Sequence, residues 1–263
     1  MRKMIRWLTL RASPQLGEQR RRRLDLGSEP LPYPLYAIGD VHGCLDLLKR
    51  AEAVIADDMR RLGRPGLVVL LGDYVDRGPA SAQVLEHLSS PSALGLKRVT
   101  LCGNHDDLFL RFLERPEAYM HWLEMGGDKT LASYGVDLQH LSLRRKGSGA
   151  SLMHVLQEAV PETHRSFLMD LPVSLKAGQV LFVHAGVAPA IPIEEQRDED
   201  MMWIRGAFLK QGPELPHLIV VHGHTPQEDP DYGIGRIGID TGAVYSGKLT
   251  VLRIDGEEIS ILQ

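Results

Sequence analysis

The sequence predicts an α/β fold, and three observations predict it. Apolar runs suited to buried strands recur at Leu35–Ile38, Leu67–Leu71 and Val99–Cys102. Segments with helical spacing of apolar residues lie between them. Each run also ends on a short string of glycine, carboxylate and imidazole residues. A crossover helix between two strands forces those strands parallel, and open α/β sheets bind ligands just outside the carboxyl ends of their strands.

The elements follow in order. Leu45 to Leu62 carries Leu45, Leu48, Ala51, Val54, Ile55 and Met59 at helical spacing and stops before Gly63. Pro79 to Leu88 is a helix opened by proline. Residues 107–171 turn polar and helical, a helical excursion in which Gly126-Gly127 and the run from Arg144 to Gly149 mark turns. Gly126-Gly127 suits either the wall of a substrate groove or an ordinary helix end. Beyond Val173 the chain is strand-rich: Val180–Val183, Leu218–Val221, Arg236–Ile239, and a hairpin of Lys248–Ile254 with Glu258–Leu262 across Asp255-Gly256.

Residues 1–34 differ from the rest. Arg2, Lys3, Arg6, Arg11 and the run Arg20 to Arg23 alternate with Trp7, Leu8 and Leu10, and Pro30, Pro32 and Pro34 close the segment. The expectation is a basic, flexible terminus preceding a single domain over 35–263, with contact to an anionic membrane surface the weaker reading.

At 263 residues the chain suits one domain, and 43% hydrophobic with 24% charged residues predicts a packed core. A net charge of −4 provides no overall basic field, which argues against nucleic acid as the principal partner. Cys44 and Cys102 are too few for a disulfide framework and read as small packed hydrophobes. With no run apolar enough to span a bilayer and no secretory segment after the early arginines, a cytoplasmic protein is expected.

The chemistry sits in five strings: Gly39-Asp40-Val41-His42-Gly43, Gly72-Asp73-Tyr74-Val75-Asp76-Arg77-Gly78, Gly103-Asn104-His105-Asp106, Val183-His184-Ala185-Gly186 and Val221-His222-Gly223-His224-Thr225. Crowding so many carboxylates and imidazoles at one sheet edge without a cation is costly, so the pattern predicts two divalent metal ions. Asp73 is the natural bridge. One ion would take Asp40, His42 and Asp73; the other would take Asp73, Asn104, His184 and His224. Nitrogen and oxygen donors without thiolate favour manganese, with iron or zinc as alternatives. Two such ions about 3.5–4 Å apart can hold a hydroxide and polarise a phosphoryl oxygen. His222 reads as a packed strand residue or a support for a neighbouring ligand rather than a ligand itself.

In this order the strings resemble the metallophosphoesterase superfamily, in its phosphoprotein phosphatase branch, from about Leu35 to Tyr245. Val221–Pro226 and Ile237–Tyr245 are similar to the bacterial serine/threonine phosphatases. The resemblance implies two facing mixed sheets flanked by helices. It further implies hydrolysis of a phosphomonoester, foremost phosphoserine or phosphothreonine in a protein, by a hydroxide held between the metals and attacking in line. Small phosphorylated substrates belong to the same expectation. Arg77 matches the phosphate-binding arginine, joined by Asn104, by Arg205 of Trp203-Ile204-Arg205 and by Tyr245. Asp76 and His105 match the pair in which a carboxylate orients a histidine that protonates the leaving oxygen.

Two departures bear on substrate. Asp106 stands where the protein phosphatases carry glutamate and diadenosine tetraphosphate hydrolases more often carry aspartate, which makes dinucleoside polyphosphate hydrolysis the runner-up. Asp76 stands where those hydrolases tend to carry alanine, which favours the phosphomonoester. A non-catalytic binding protein ranks last, since a scaffold has no use for a general acid.

Overall fold

In the computed structural model, residues 20–137 and 152–262 are described. Two mixed sheets face each other. The five-stranded sheet has the order β11-β10-β2-β3-β4 and the six-stranded sheet the order β1-β5-β6-β7-β9-β8. Their strands are β1 Arg23–Asp25, β2 Leu35–Ile38, β3 Leu67–Leu70, β4 Lys97–Thr100, β5 Ser174–Ala177, β6 Val180–Val183, β7 Ile219–His222, β8 Asp231–Gly233, β9 Arg236–Gly238, β10 Val251–Asp255 and β11 Glu258–Leu262.

Side chains alternate across a strand, and this alternation builds both layers of the core. Leu35 and Ala37 of β2, Val69 of β3, and Leu252 and Ile254 of β10 pack with Leu175, Phe182, Val221 and Ile237 of the other sheet. Tyr36, Ile38, Val68 and Leu70 point the opposite way, onto Leu48 and Ile55 of α1 (Leu45–Leu62) and Val84 and Leu85 of α2 (Ser81–Ser89). β2, β3 and β4 are parallel, as the crossovers require. α1 has the predicted limits and ends on Gly63 in the left-handed conformation. α2 starts at Ser81, two residues after Pro79.

The helical excursion contains α3 Asn104–Glu114, α4 Gly127–Ser133, α5 Leu152–Ala159 and α6 Glu162–Asp170. The predicted turn at Arg144–Gly149 lies outside the described residues. So does the stretch with Arg2, Lys3, Arg6, Trp7, Leu8 and Leu10. Among the described residues no helix is long and apolar enough to cross a membrane.

The arginine run departs from the expected flexible terminus. Arg23–Asp25 pairs in parallel with Ser174–Lys176 as the edge strand. The Arg21 guanidinium donates to the Leu168 and Leu171 carbonyls at 3.0 and 3.2 Å and to Asp107 Oδ1 at 3.0 Å, while its main-chain N–H donates to Asp198 Oδ2 at 2.6 Å. Arg23 reaches Asp198 Oδ1 at 2.9 Å. Arginines that the sequence displays as a charge run are thus spent on carbonyls and carboxylates of distant segments, which composition alone does not reveal.

Candidate active site

The site forms where the two sheets meet at their strand ends. The turn after β2 carries Asp40 and His42, the turn after β3 carries Asp73, Asp76 and Arg77, and α3 opens on Asn104 and His105 directly after β4. From the other sheet, His184 follows β6 and His224 follows β7. Asp40, His42, Asp73, Asn104, His184 and His224 are all buried, none more than 6% exposed.

Asp73 lies at the centre. His42, Asp73 and His105 offer donor atoms within 4.8 Å of one another, and so do Asp73, His184 and His224. Asp73 Oδ1 is 3.4 Å from His184 Nε2, and Oδ2 is 3.5 Å from His42 Nε2. Asn104 Oδ1 is 2.9 Å from His184 Nε2. Asp40 lies beside these groups, and its carboxylate accepts the His224 main-chain N–H at 3.1 Å. A Cβ on Gly223 would fall 2.0 Å from Asp40 Oδ1, so the fifth string meets the first only with glycine there.

The rings are aimed by their second nitrogen. His42 Nδ1–H donates to the Val75 carbonyl at 2.7 Å, and His184 Nδ1–H donates to the Leu71 carbonyl at 2.9 Å. A carbonyl only accepts, so in both rings Nδ1 carries a proton and Nε2 is the atom turned toward Asp73, the usual support of a metal-binding imidazole.

The electrostatics suit cations. Burial drives the His42 pKa down to about 3 and that of His224 to about 2, favouring the neutral, ligating ring. Burial, then the nearby Asp240 carboxylate, holds Asp40 well above the usual carboxylate range. Asp73 goes the other way: burial is outweighed by the His184, His105 and His42 rings, and its pKa lies well below the usual value. On His184, burial is outweighed by the Asp73 and Asp40 carboxylates, which push its pKa up to about 10. Imidazoles turned toward buried carboxylates, with His42 and His224 held neutral by burial and an amide oxygen alongside, fit a pair of divalent ions that would relieve the crowding.

Beside Asp73 stand His105 and Asp76. His105 Nδ1–H donates to Asp76 Oδ2 at 2.6 Å, so Nε2 is the ring atom that faces the centre. The Arg77 guanidinium spans it, with Nη1 2.8 Å from His42 Nε2 and Nη2 2.9 Å from His105 Nε2. Arg205 Nη2 donates to the His224 carbonyl at 3.2 Å. Tyr245 is 76% exposed on the short helix Ala243–Ser246, outside the buried groups.

Backbone strain concentrates here. Of the eight non-glycine residues with positive φ among those described, His42, Asp73, Asp76, Arg77 and His224 belong to this site. Such conformations persist only where surroundings over-determine them.

Sequence reasoning underrated four residues. Asp106 accepts the main-chain N–H groups of Asp73 at 2.8 Å, Tyr74 at 2.9 Å and Gly103 at 2.9 Å, so it fixes the backbone of the central carboxylate. Burial, with Asp73 close by, raises its pKa to about 7. Asp240 joins the buried carboxylates near Asp40, while Trp122 and Thr130 bond to Asp76 from the helical excursion. Nothing in spacing points to Trp122. Asp240 lies in the Ile237–Tyr245 stretch, whose similarity to bacterial phosphatases is its signal in the sequence. His222 is buried, with its pKa lowered to about 4 by burial, and its Nδ1 lies 3.1 Å from the Gly223 carbonyl.

A doubly faced sheet pair with this donor set at its seam defines a metallophosphoesterase. The chain belongs to the calcineurin-like phosphoesterase family, whose sequence profile matches residues 33–243. It is similar to the asymmetrical bis(5'-nucleosyl)-tetraphosphatase PrpE of Bacillus subtilis strain 168, with 28% identity over 82% of this chain and 88% of the relative. The protein of the same name in Bacillus cereus strain Q1 is 30% identical over 84% of this chain and 91% of its own length. Among solved structures, one described as a candidate diadenosine tetraphosphatase shares the fold, with a TM-score of 0.59 and 22% identity over 92% of this chain and 97% of its own. The two bacillar relatives are named for tetraphosphates and not for phosphoproteins.

Proposed function

We propose that this chain cleaves a dinucleoside tetraphosphate asymmetrically at a centre of two divalent metal ions. What carries the chemistry is that Asp73 is common to both donor groups while the Arg77 guanidinium bridges the His42 and His105 rings of one of them. The named activity of the bacillar relatives, matched over most of both chains, supports the substrate. Divalent ions held by Asp40, His42, Asp73, Asn104, His184 and His224 would supply Lewis-acid activation of water and of the phosphoryl oxygen.

The chain's own residues supply the rest. The Arg77 fork is shaped to grip two phosphoryl oxygens, with Arg205, between the helices Asp198–Trp203 and Gly206–Gln211, available for a neighbouring phosphate. Asp76 accepts His105 Nδ1–H, so the protonated ring presents its Nε2–H to a departing oxygen. Asp106 keeps the Asp73 backbone fixed while charge moves around it. Tyr245, exposed at the rim, is available to an incoming substrate rather than to the metals.

One observation favours a second reading, hydrolysis of a phosphoserine or phosphothreonine ester. A nucleotide phosphate leaves readily as an anion, whereas a serine alkoxide needs a proton as the bond breaks, and this chain retains an intact Asp76–His105 pair. Parallel turnover on diadenosine tetraphosphate and on a phosphoserine peptide, with manganese present, separates the two. Asymmetric cleavage gives one nucleotide with three phosphates and one with a single phosphate, at a kcat/KM well above that for the peptide. Intact dinucleotide beside rapid release of phosphate from the peptide would reverse the assignment.

A further inference from the structure

Asp76, the carboxylate behind His105, is held by residues of the helical excursion that no catalytic string contains. Trp122 Nε1–H donates to Asp76 Oδ2 at 2.6 Å, the same oxygen that accepts His105 Nδ1–H. Thr130 Oγ1–H donates to Asp76 Oδ1 at 2.7 Å and, as acceptor, takes the Asp76 main-chain N–H at 2.8 Å. Ser81 Oγ accepts that same N–H at 3.1 Å. Trp122, Thr130, Ser81 and Asp76 are fully buried.

The same stretch braces the neighbouring backbone. Asp76 and Arg77 take φ values of +74° and +67°, a left-handed pair without glycine. Gly126, itself at φ +107°, accepts the Arg77 N–H on its carbonyl at 3.1 Å, and a Cβ there would lie 2.7 Å from that nitrogen. The Trp122 ring is wedged against Phe109, stacked at 5.1 Å, and Phe112 at 4.7 Å. Packing alone would be served by phenylalanine in such a cluster. An indole N–H, however, has one use, as a donor, and here it falls on the oxygen that orients the imidazole. With both oxygens already committed, the carboxylate cannot rotate, and the His105 ring cannot rotate with it.

We propose that Trp122 and Thr130 are positioning residues for proton donation by His105, acting through the Asp76 carboxylate. This rests on His105 being the proton source, as argued above. The chemical step is unchanged: the proton on His105 Nε2 passes to the departing oxygen as the phosphorus–oxygen bond breaks, and water restores it. What Trp122 and Thr130 govern is whether Nε2 points at that oxygen.

The test uses the full metal-loaded chain with two probes, a phosphoserine peptide whose leaving group needs a proton and p-nitrophenyl phosphate whose leaving group does not. Trp122→Phe and Thr130→Val should each lower the peptide-to-aryl turnover ratio about tenfold, a part of the 10²–10⁴ supplied by a positioned acid. Thr130→Ser, which keeps the hydroxyl, should restore the ratio. In a His105→Asn background, Trp122→Phe should change the ratio by less than about twofold, because its effect passes through the ring already removed. Equal losses on both probes, or the same tenfold loss without His105, would make Trp122 merely structural and overturn the proposal. If His105→Asn alone leaves the ratio unchanged, the proton-source assignment itself fails, a separate result that takes the proposal with it.

A turnover-free readout stands beside these. The chain has three tryptophans, so the Trp122 indole N–H resonance is identified by its loss in Trp122→Phe. It should lie downfield, exchange slowly and move in His105→Asn. An indole resonance at the position of a solvent-exposed tryptophan, unmoved by His105→Asn, would contradict the shared oxygen.

Discussion

The two sheets contribute to one centre in different ways. The five-stranded sheet delivers Asp40, His42, Asp73, Asn104 and His105 from three consecutive parallel strands, on short turns that hold four of the site's five positive-φ residues. The six-stranded sheet delivers His184 and His224 from strands joined by a long connection, and His224 alone carries positive φ. Its donors are set by contacts with the opposite sheet: His184 hangs on the Leu71 carbonyl, and the His224 N–H on Asp40. One half of the centre is therefore built by local turns, and the other by the packing of sheet against sheet. Disturbing that packing should loosen the His184–His224 side while sparing the His42 side.

The largest effect should come from removing what both sheets share. Chelation of divalent cations should abolish turnover, with recovery on adding manganese; activity that survives exhaustive chelation would break the comparison at its root.

Next in size is a change confined to the five-stranded side. His105→Asn should lower turnover on a phosphoserine peptide by about 10²–10⁴ and on p-nitrophenyl phosphate much less. Comparable losses on both probes, at full metal content, would place His105 on the phosphate or the metals instead, which its 4.0 Å approach to Asp73 Oδ2 makes a concrete alternative.

A smaller effect sharpens the other side. Arg21 ties the halves together, its main chain on Asp198 next to the six-stranded sheet and its guanidinium on Asp107 of α3. Arg21→Ala removes donors from two carbonyls and one carboxylate, and Arg111 still holds that carboxylate. Urea denaturation should show a loss of about 2–4 kcal/mol, and manganese affinity should fall more for the His184–His224 group. Unchanged stability would return the arginine run to the status of a solvated terminus.

The same contrast explains what the sequence could reveal. Donors on short turns after apolar strands were legible, because strand, turn and ligand are contiguous: Asp40, His42, Asp73 and Asn104 lie within a few residues of their strand ends. β1, β5 and β8 were not, since Arg-Leu-Asp, Ser-Leu-Lys-Ala and Asp-Tyr-Gly lack an apolar run and owe their pairing to a neighbouring strand. Trp122 was invisible for a related reason. Its partner Asp76 is 46 residues away, and a tryptophan in a helical stretch reads as core until the structure shows where its N–H goes. Asp106 was legible as a ligand-string residue but read for substrate, whereas its three backbone bonds give it a structural task.

The central claim is that Asp73 joins the two halves into one centre of two cations. Calorimetric titration of manganese into metal-stripped protein tests it most directly, comparing wild type with His42→Ala, His184→Ala and Asp73→Asn. The account predicts two ions per wild-type chain, one retained by each histidine variant, and weakened binding of both in Asp73→Asn. A single ion in fully active wild type, or two ions bound with unaltered affinity by Asp73→Asn, would contradict it.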